Sequence, residues 1–175
     1  MKEKMWTIKI IIMAFIISFI FSLSSEIIMP KTNIIISIII LILFIIIGII
    51  FDMIGVAVTT CDIKPFHSMN SKKIDYANTA IKLIQNQAQV SSFCNDVIGD
   101  ICGIISGSAG VIISTSISTT NNINPLLINL ITTSLIAALT IGGKSLGKTK
   151  ALKNNTAIIK AFSKIIYTLK ISPKW

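Results

Sequence analysis

Four oxygen-bearing side chains stand inside or beside stretches that are otherwise almost free of charge: Asp52, Asn95, Asp96 and Asp100. Carboxylate and carboxamide oxygens are hard ligands. They suit Mg²⁺, Mn²⁺, Ca²⁺ or Na⁺ better than a soft metal. An ionisable group at membrane depth is costly, so it marks either an ion pathway or a structural charge pair. Lys144 is the candidate for the second role, because its ammonium can neutralise Asp52 or Asp100. Asp96 also has a purely structural reading as a cap at the start of a helix, where negative charge is favourable.

The elements that must position these groups are apolar runs. Residues 5–23, 34–60, 93–117 and 126–143 are each long enough to cross a bilayer. The second is the clearest, since Asn33 to Phe51 contains no charge and covers about 28 Å at 1.5 Å per residue. Hydrophobic residues make up 53% of the 175-residue chain and charged residues only 13%. A soluble domain carries about 25% charged residues. The fold class expected is therefore an all-α membrane protein: four transmembrane helices, a cytoplasmic helical link and a C-terminal amphipathic juxtamembrane helix.

Lysine placement sets the expected orientation. Every basic residue is a lysine, and all but Lys31 precede or open the first span, lie in the link after the second, or follow the fourth. The positive-inside rule then puts both termini in the cytoplasm and residues 118–125 outside. A basic start followed by an apolar run also fits a signal peptide. The missing small-x-small cleavage site and the prompt second span favour an uncleaved helix.

Depth and helical spacing converge on one site. Asp52 and Lys144 each lie about 27 Å along a span that enters from outside, near the inner boundary of the hydrocarbon. Asn95, Asp96 and Asp100 open the third span from the inner side. Gly48, Asp52, Gly55 and Thr59 share a helical face, as do Asp96, Asp100, Gly103 and Gly107. Gly99, Gly103 and Gly107 form a small-xxx-small ridge suited to close helix contact, so the carboxylates are expected to point inward.

Two segments read as non-spanning. Residues 62–92 form one or two short helices at the inner face. In residues 149–171, Ile158, Ile159, Phe162, Ile165, Ile166 and Leu169 follow helical spacing, with Lys153, Lys160 and Lys164 off the stripe. That pattern fits a helix lying in the membrane interface, or one packed on protein.

Other signals carry less. The net charge of +9 does not imply nucleic acid, because no aromatics are interleaved with the lysines to stack on bases. Cys61, Cys94 and Cys102 read as reduced, apolar filler. His67 reads as an interfacial residue beside Phe66. Residues Gly142 to Thr149 fit G-x-x-x-x-G-K-[ST] letter for letter, but no strand precedes them, so the match reads as a helix end with basic flanks. No nucleophile has an evident base, and the chain does not read as an enzyme.

At these residues a resemblance emerges. The stretch 50–60, the link 72–89, the run Cys94-Asn95-Asp96-Val97-Ile98-Gly99-Asp100 and the ending Gly142-Gly143-Lys144-Ser145-Leu146-Gly147-Lys148 resemble the transmembrane domain of the CNNM/CorC magnesium transporters, whose bacterial members include CorB. The resemblance divides the chain into an extra N-terminal helix with its short outer loop (1–33), a three-span transporter-like core (34–148) and a juxtamembrane amphipathic helix with tail (149–175). It implies a homodimer with a Mg²⁺ or Co²⁺ ion held between spans, in a multi-pass protein of a bacterial cell membrane, with Asn95 at the family's motif position and Asp96 and Asp100 nearby. Asp52, placed by depth and helical face, completes the candidate ligands. Lys144 stands where the family has a glutamate, Gly147 where it has a proline, and the family's regulatory CBS pair has no counterpart in these residues. The competing expectation is a non-transporting structural or assembly subunit whose buried charges are paired for stability.

Overall fold

The computed structural model describes residues 2–28, 33–121 and 124–169. Lys31, Asn122, Lys170, Lys174 and Trp175 lie outside them. The described residues form helices and no strand: α1 (Lys2–Ile28), α2 (Ile34–Thr60), α3 (Lys64–Ser71), α4 (Ala77–Gln85), α5 (Gln87–Ser92), a π-helical segment (Phe93–Gly99), α6 (Asp100–Asn121), α7 (Pro125–Lys153) and α8 (Asn155–Thr168). Four helical stretches are long and apolar enough to cross a membrane: Trp6–Ile27, Ile34–Thr60, Gln87–Thr120 and Pro125–Lys153. The protein is all-α, of the multi-pass membrane kind.

Local chemistry explains the helix limits. Isoleucine is a weak helix former in water. In a medium that offers no hydrogen bonds the backbone must satisfy itself, so an isoleucine-rich run of this length still coils. Asn33 Oδ1 accepts from the Ile35 amide at 3.4 Å, which caps α2. Asn124 Oδ1 does the same for Leu126 at 3.0 Å, next to Pro125 in the first turn of α7. Asp62 Oδ1 accepts from the Lys64 amide at 3.0 Å and opens α3. That helix closes with a left-handed Lys73 (φ 57°), whose amide bonds Asn70 O at 2.9 Å while Ile74 bonds Met69 O at 3.2 Å. This is the paired closure in which glycine is usually found.

The chain divides into two compact units. The first comprises residues Met1–Ile49 and Val97–Gly143. Here α1 packs on α6, and Leu41, Ile45, Ala109, Ile113 and Ile136 form the core. Backbones and side chains approach closely at glycines. A Cβ on Gly48 would stand 3.1 Å from Cys102 Cβ, and one on Gly110 or Gly143 would run into Ile136 or Ile49. Ser114 Oγ lies 3.3 Å from Asn129 Oδ1, a polar tie between α6 and α7.

The second unit comprises residues Ile50–Asp96 and Lys144–Trp175. Its core gathers Ile54, Ala57, Val58, Phe66, Ala80, Leu83, Val90, Cys94 and Ile159. Asn155 Nδ2 donates to Thr60 O at 2.8 Å and ties the start of α8 to the end of α2.

Two expectations change. The link 62–92 holds three helices rather than one or two, because the Lys73 closure and the break at Asn86 divide it. The glycines at 142 and 143 do not end the helix. The last long helix continues through them to Lys153, and the break falls at Asn154. The apolar stripe of α8 divides, as a helix partly packed on protein does: Ile159 and Ile166 are buried within the second unit, while Ile165 and Leu169 stay exposed.

Candidate functional site

Asp52 sits near the C-terminal end of α2 and is only 4% exposed. The apolar residues around that turn, Ile54, Ala57 and Val58, are buried as well and carry the carboxylate in with them. Leaving such a charge without compensation is strongly destabilising. The structure supplies a partner other than the expected Lys144: Lys148 Nζ lies 3.7 Å from Asp52 Oδ2. Lys148 is one helical turn beyond Lys144, which is itself half-buried in the same unit. The ion pair leaves hydrogen-bonding capacity unused, since Asp52 Oδ2 has no hydrogen-bond partner.

Asn95 lies in the π-helical segment, and its carboxamide presses against α2 at Gly55, where a Cβ would collide with it. Gly55 and Asp52 are three residues apart, so they are neighbours on one face with Cβ positions about 5–6 Å apart. Asn95 Nδ2 donates to Ser91 Oγ at 3.3 Å, whereas Asn95 Oδ1 is buried without a partner. Gln89 Oε1 is a further buried, unpartnered oxygen in the same unit. Such orphaned acceptors are uncommon, because a buried polar atom without a partner costs about 1–3 kcal/mol. The spacing Asp52/Gly55 is the sequence signal for this pairing, and it does bring Asn95 to Asp52's face of α2.

The other two carboxylates do not turn inward. Asp96 in the second unit and Asp100 in the first are both exposed. Nor does Asp96 cap a helix, because helical structure already runs from Gln87. Over the π-helical segment Phe93–Gly99, Cys94 and Val97 are buried and Asp96 is exposed. Within the first unit, Gly99 is buried and its carbonyl lies 3.6 Å from where a Gly48 Cβ would stand. A Cβ on Gly103 or Gly107 would meet nothing within 4 Å, so that side of α6 is open. The ridge expected to pack all along α6 therefore makes its contact at the Gly99 end. Among the described residues, no group of three or more His, Cys, Asp or Glu side chains converges on one point.

The remaining signals resolve simply. The letters of the P-loop pattern fall wholly inside α7, so they form no phosphate-cradling loop. His67 is exposed on α3. Cys61, Cys94 and Cys102 are buried free thiols. Burial pushes the Cys61 thiol above its ordinary pKa, with Asp62 adding to the rise and the contact to Thr156 Oγ1 at 3.8 Å opposing it. It is held in the unreactive thiol form.

No family, curated protein or solved structure matches this chain.

Proposed function

We propose that the protein is a multi-pass protein of a bacterial cell membrane that binds, and by its likeness to the CNNM/CorC transporters carries, a hard divalent cation, Mg²⁺ before Co²⁺. The observation that carries this reading is the Asp52 site. A buried carboxylate and a carboxamide oxygen that hydrogen-bonds nothing share one face of α2. Mg²⁺ keeps several of its waters and is commonly held by one or two carboxylates, so one carboxylate with an amide oxygen is a sufficient anchor. The π turn that presents Asn95 adds support, because such turns concentrate at functional sites. Asp96, exposed in the same unit as Asp52, is then a ligand to a hydrated ion or lines its approach. Lysine distribution supports an orientation with both termini in the cytoplasm. The open side of α6 at Gly103 and Gly107 supports a homodimer.

A second reading rests on a specific contact. The Lys148–Asp52 pair is what a non-transporting structural subunit would use to neutralise a buried charge. Thermal unfolding of the purified protein separates the two. A ligand present at about 100 times its Kd stabilises by about 2.7 kcal/mol. Under the cation reading, Mg²⁺ raises the Tm of the unmutated chain and Asp52→Asn removes the rise. Under the structural reading, Mg²⁺ has no effect, Asp52→Asn destabilises equally in its presence or absence, and Lys148→Met in the same chain restores stability. Mg²⁺ uptake into liposomes then distinguishes a carrier from a binder.

A further inference from the structure

We infer that Lys148 is a tethered counter-ion that occupies the Asp52 site until a doubly charged cation displaces it, and that this competition makes the site selective for divalent over monovalent ions. The inference rests on the cation reading above and adds to it a selectivity mechanism and the residue responsible.

The two partners are unequal. The Asp52 side chain is 6% exposed and that of Lys148 is 52% exposed. The carboxylate cannot leave its surroundings and always needs a positive charge beside it. The ammonium, already half in solvent, leaves at little cost, since exposed charges gain little from pairing. A pair built only as a lock would bury both groups. At 3.7 Å the contact is also longer than a hydrogen bond, so Lys148 supplies charge without engaging the Asp52 Oδ2 lone pairs. Those lone pairs and Asn95 Oδ1 remain unused by any hydrogen bond.

Charge counting gives the selectivity. A monovalent ion that enters replaces one positive charge with one, so the carboxylate gains no Coulombic stabilisation. It must also beat a competitor that is attached to the site and cannot diffuse away. A divalent ion about doubles the attraction at the same distance. It can use the amide oxygen as well, while Lys148 relaxes into water. Lys150 and Lys153, exposed farther along the same helix, have no such carboxylate contact among the described residues.

The test uses the full-length chain in detergent, with Tm followed against MgCl₂, MnCl₂, NaCl and KCl at constant ionic strength. Lys148→Met lowers the Mg²⁺ concentration for half of the Tm rise by about fivefold, the loss of a competitor worth a partly exposed pair. The same variant gains a Na⁺ response that the unmutated chain lacks, and Lys148→Arg keeps the unmutated behaviour. An unchanged Mg²⁺ midpoint with no Na⁺ response in Lys148→Met overturns the inference while leaving the cation site standing. Absence of any cation response in both chains removes the cation reading itself. A measurement on the unmutated protein guards against a variant that does not fold. Amine-reactive labelling, read by peptide mass spectrometry, rises at Lys148 when Mg²⁺ is added and stays constant at Lys160. Equal labelling of Lys148 with and without Mg²⁺ contradicts displacement.

Discussion

The two units are built on opposite plans. In the first, large apolar side chains face outward: Phe15, Ile35, Leu126, Ile131 and Ile141 are all more than half exposed. Its interior mixes the aliphatic side chains of Leu41, Ile45, Ile113 and Ile136 with buried hydroxyls at Ser37, Ser106, Ser114 and Ser118. The hydroxyls of Ser106 and Ser114 return to backbone carbonyls a turn earlier, at 2.7 and 2.8 Å. In the second unit, Phe66, Leu83, Val90 and Ile159 are fully buried, and lysines 64, 72, 73, 82, 160 and 164 are exposed. Large apolar side chains outside, with hydroxyls and close glycine contacts inside, fit lipid, where burial of apolar groups yields no hydrophobic gain and close helix contact must hold the fold. Apolar inside with charge outside is the plan for water. One chain thus uses two folding forces, and Asp52, although carried by the long apolar helix α2, belongs to the second unit.

The largest expected effect separates these forces. Phe66→Ala empties a fully buried site and should cost about 3–5 kcal/mol in unfolding free energy, as large core truncations do. Leu130→Ala trims a side chain that is 56% exposed, and a surface change of this kind should shift stability by no more than about 0.5 kcal/mol. Denaturation of both variants in one detergent measures the contrast, and similar losses would break it.

Next comes close packing within the first unit. Gly48→Leu forces a side chain against Cys102 and the Gly99 carbonyl and should cost about 1–3 kcal/mol. Gly103→Leu meets open space in the single chain. It should leave the monomer's stability unchanged and weaken the proposed homodimer, seen as a shift to monomer by native mass spectrometry. A dimer that tolerates Gly103→Leu would place the contact elsewhere.

A smaller effect sharpens the picture of the second unit. Lys73 holds a left-handed backbone that glycine adopts without strain, so Lys73→Gly should stabilise the unit by about 0.5–1 kcal/mol. Thermal unfolding of the two chains side by side measures the gain. Smallest is a pH effect at Cys61. Its raised pKa means that the unfolded thiol ionises first as pH rises past its ordinary 9.0. The contribution of the buried thiol is complete below that pH and is lost above it. Cys61→Ala should flatten the alkaline fall in Tm slightly, and an unchanged slope would show that the thiol is not held back by burial.

Much of the fold was legible because its signals are local. The expected second span, residues 34–60, coincides with α2, since an uncharged run between Asn33 and Phe51 with a cap at its start announces both its length and its beginning. The site was half legible. Asp52, Gly55 and Asn95 do meet on one face, because α2 is a regular helix. The orientation of Asp96 was not legible, because spacing says which residues share a helix face and not which face the protein covers, and here Cys94 and Val97 are buried in place of Asp96. The choice of Lys148 beside Asp52 was not legible either. Lys144 and Lys148 are one turn apart on the same helix, and which of them reaches Asp52 depends on packing between segments far apart in sequence.

The most direct test of the central claim, that the two units are made for different solvents, is spin-label accessibility in a lipid bilayer. Single cysteines at Ile39, Leu130, Lys73 and Lys160 would be labelled in a chain carrying Cys61→Ala, Cys94→Ala and Cys102→Ala. The account predicts that labels at Ile39 and Leu130 relax with oxygen, which dissolves in lipid, and are shielded from a water-soluble nickel chelate. Labels at Lys73 and Lys160 should show the reverse. Nickel access at Ile39 and Leu130 equal to that at Lys73 and Lys160 would contradict it.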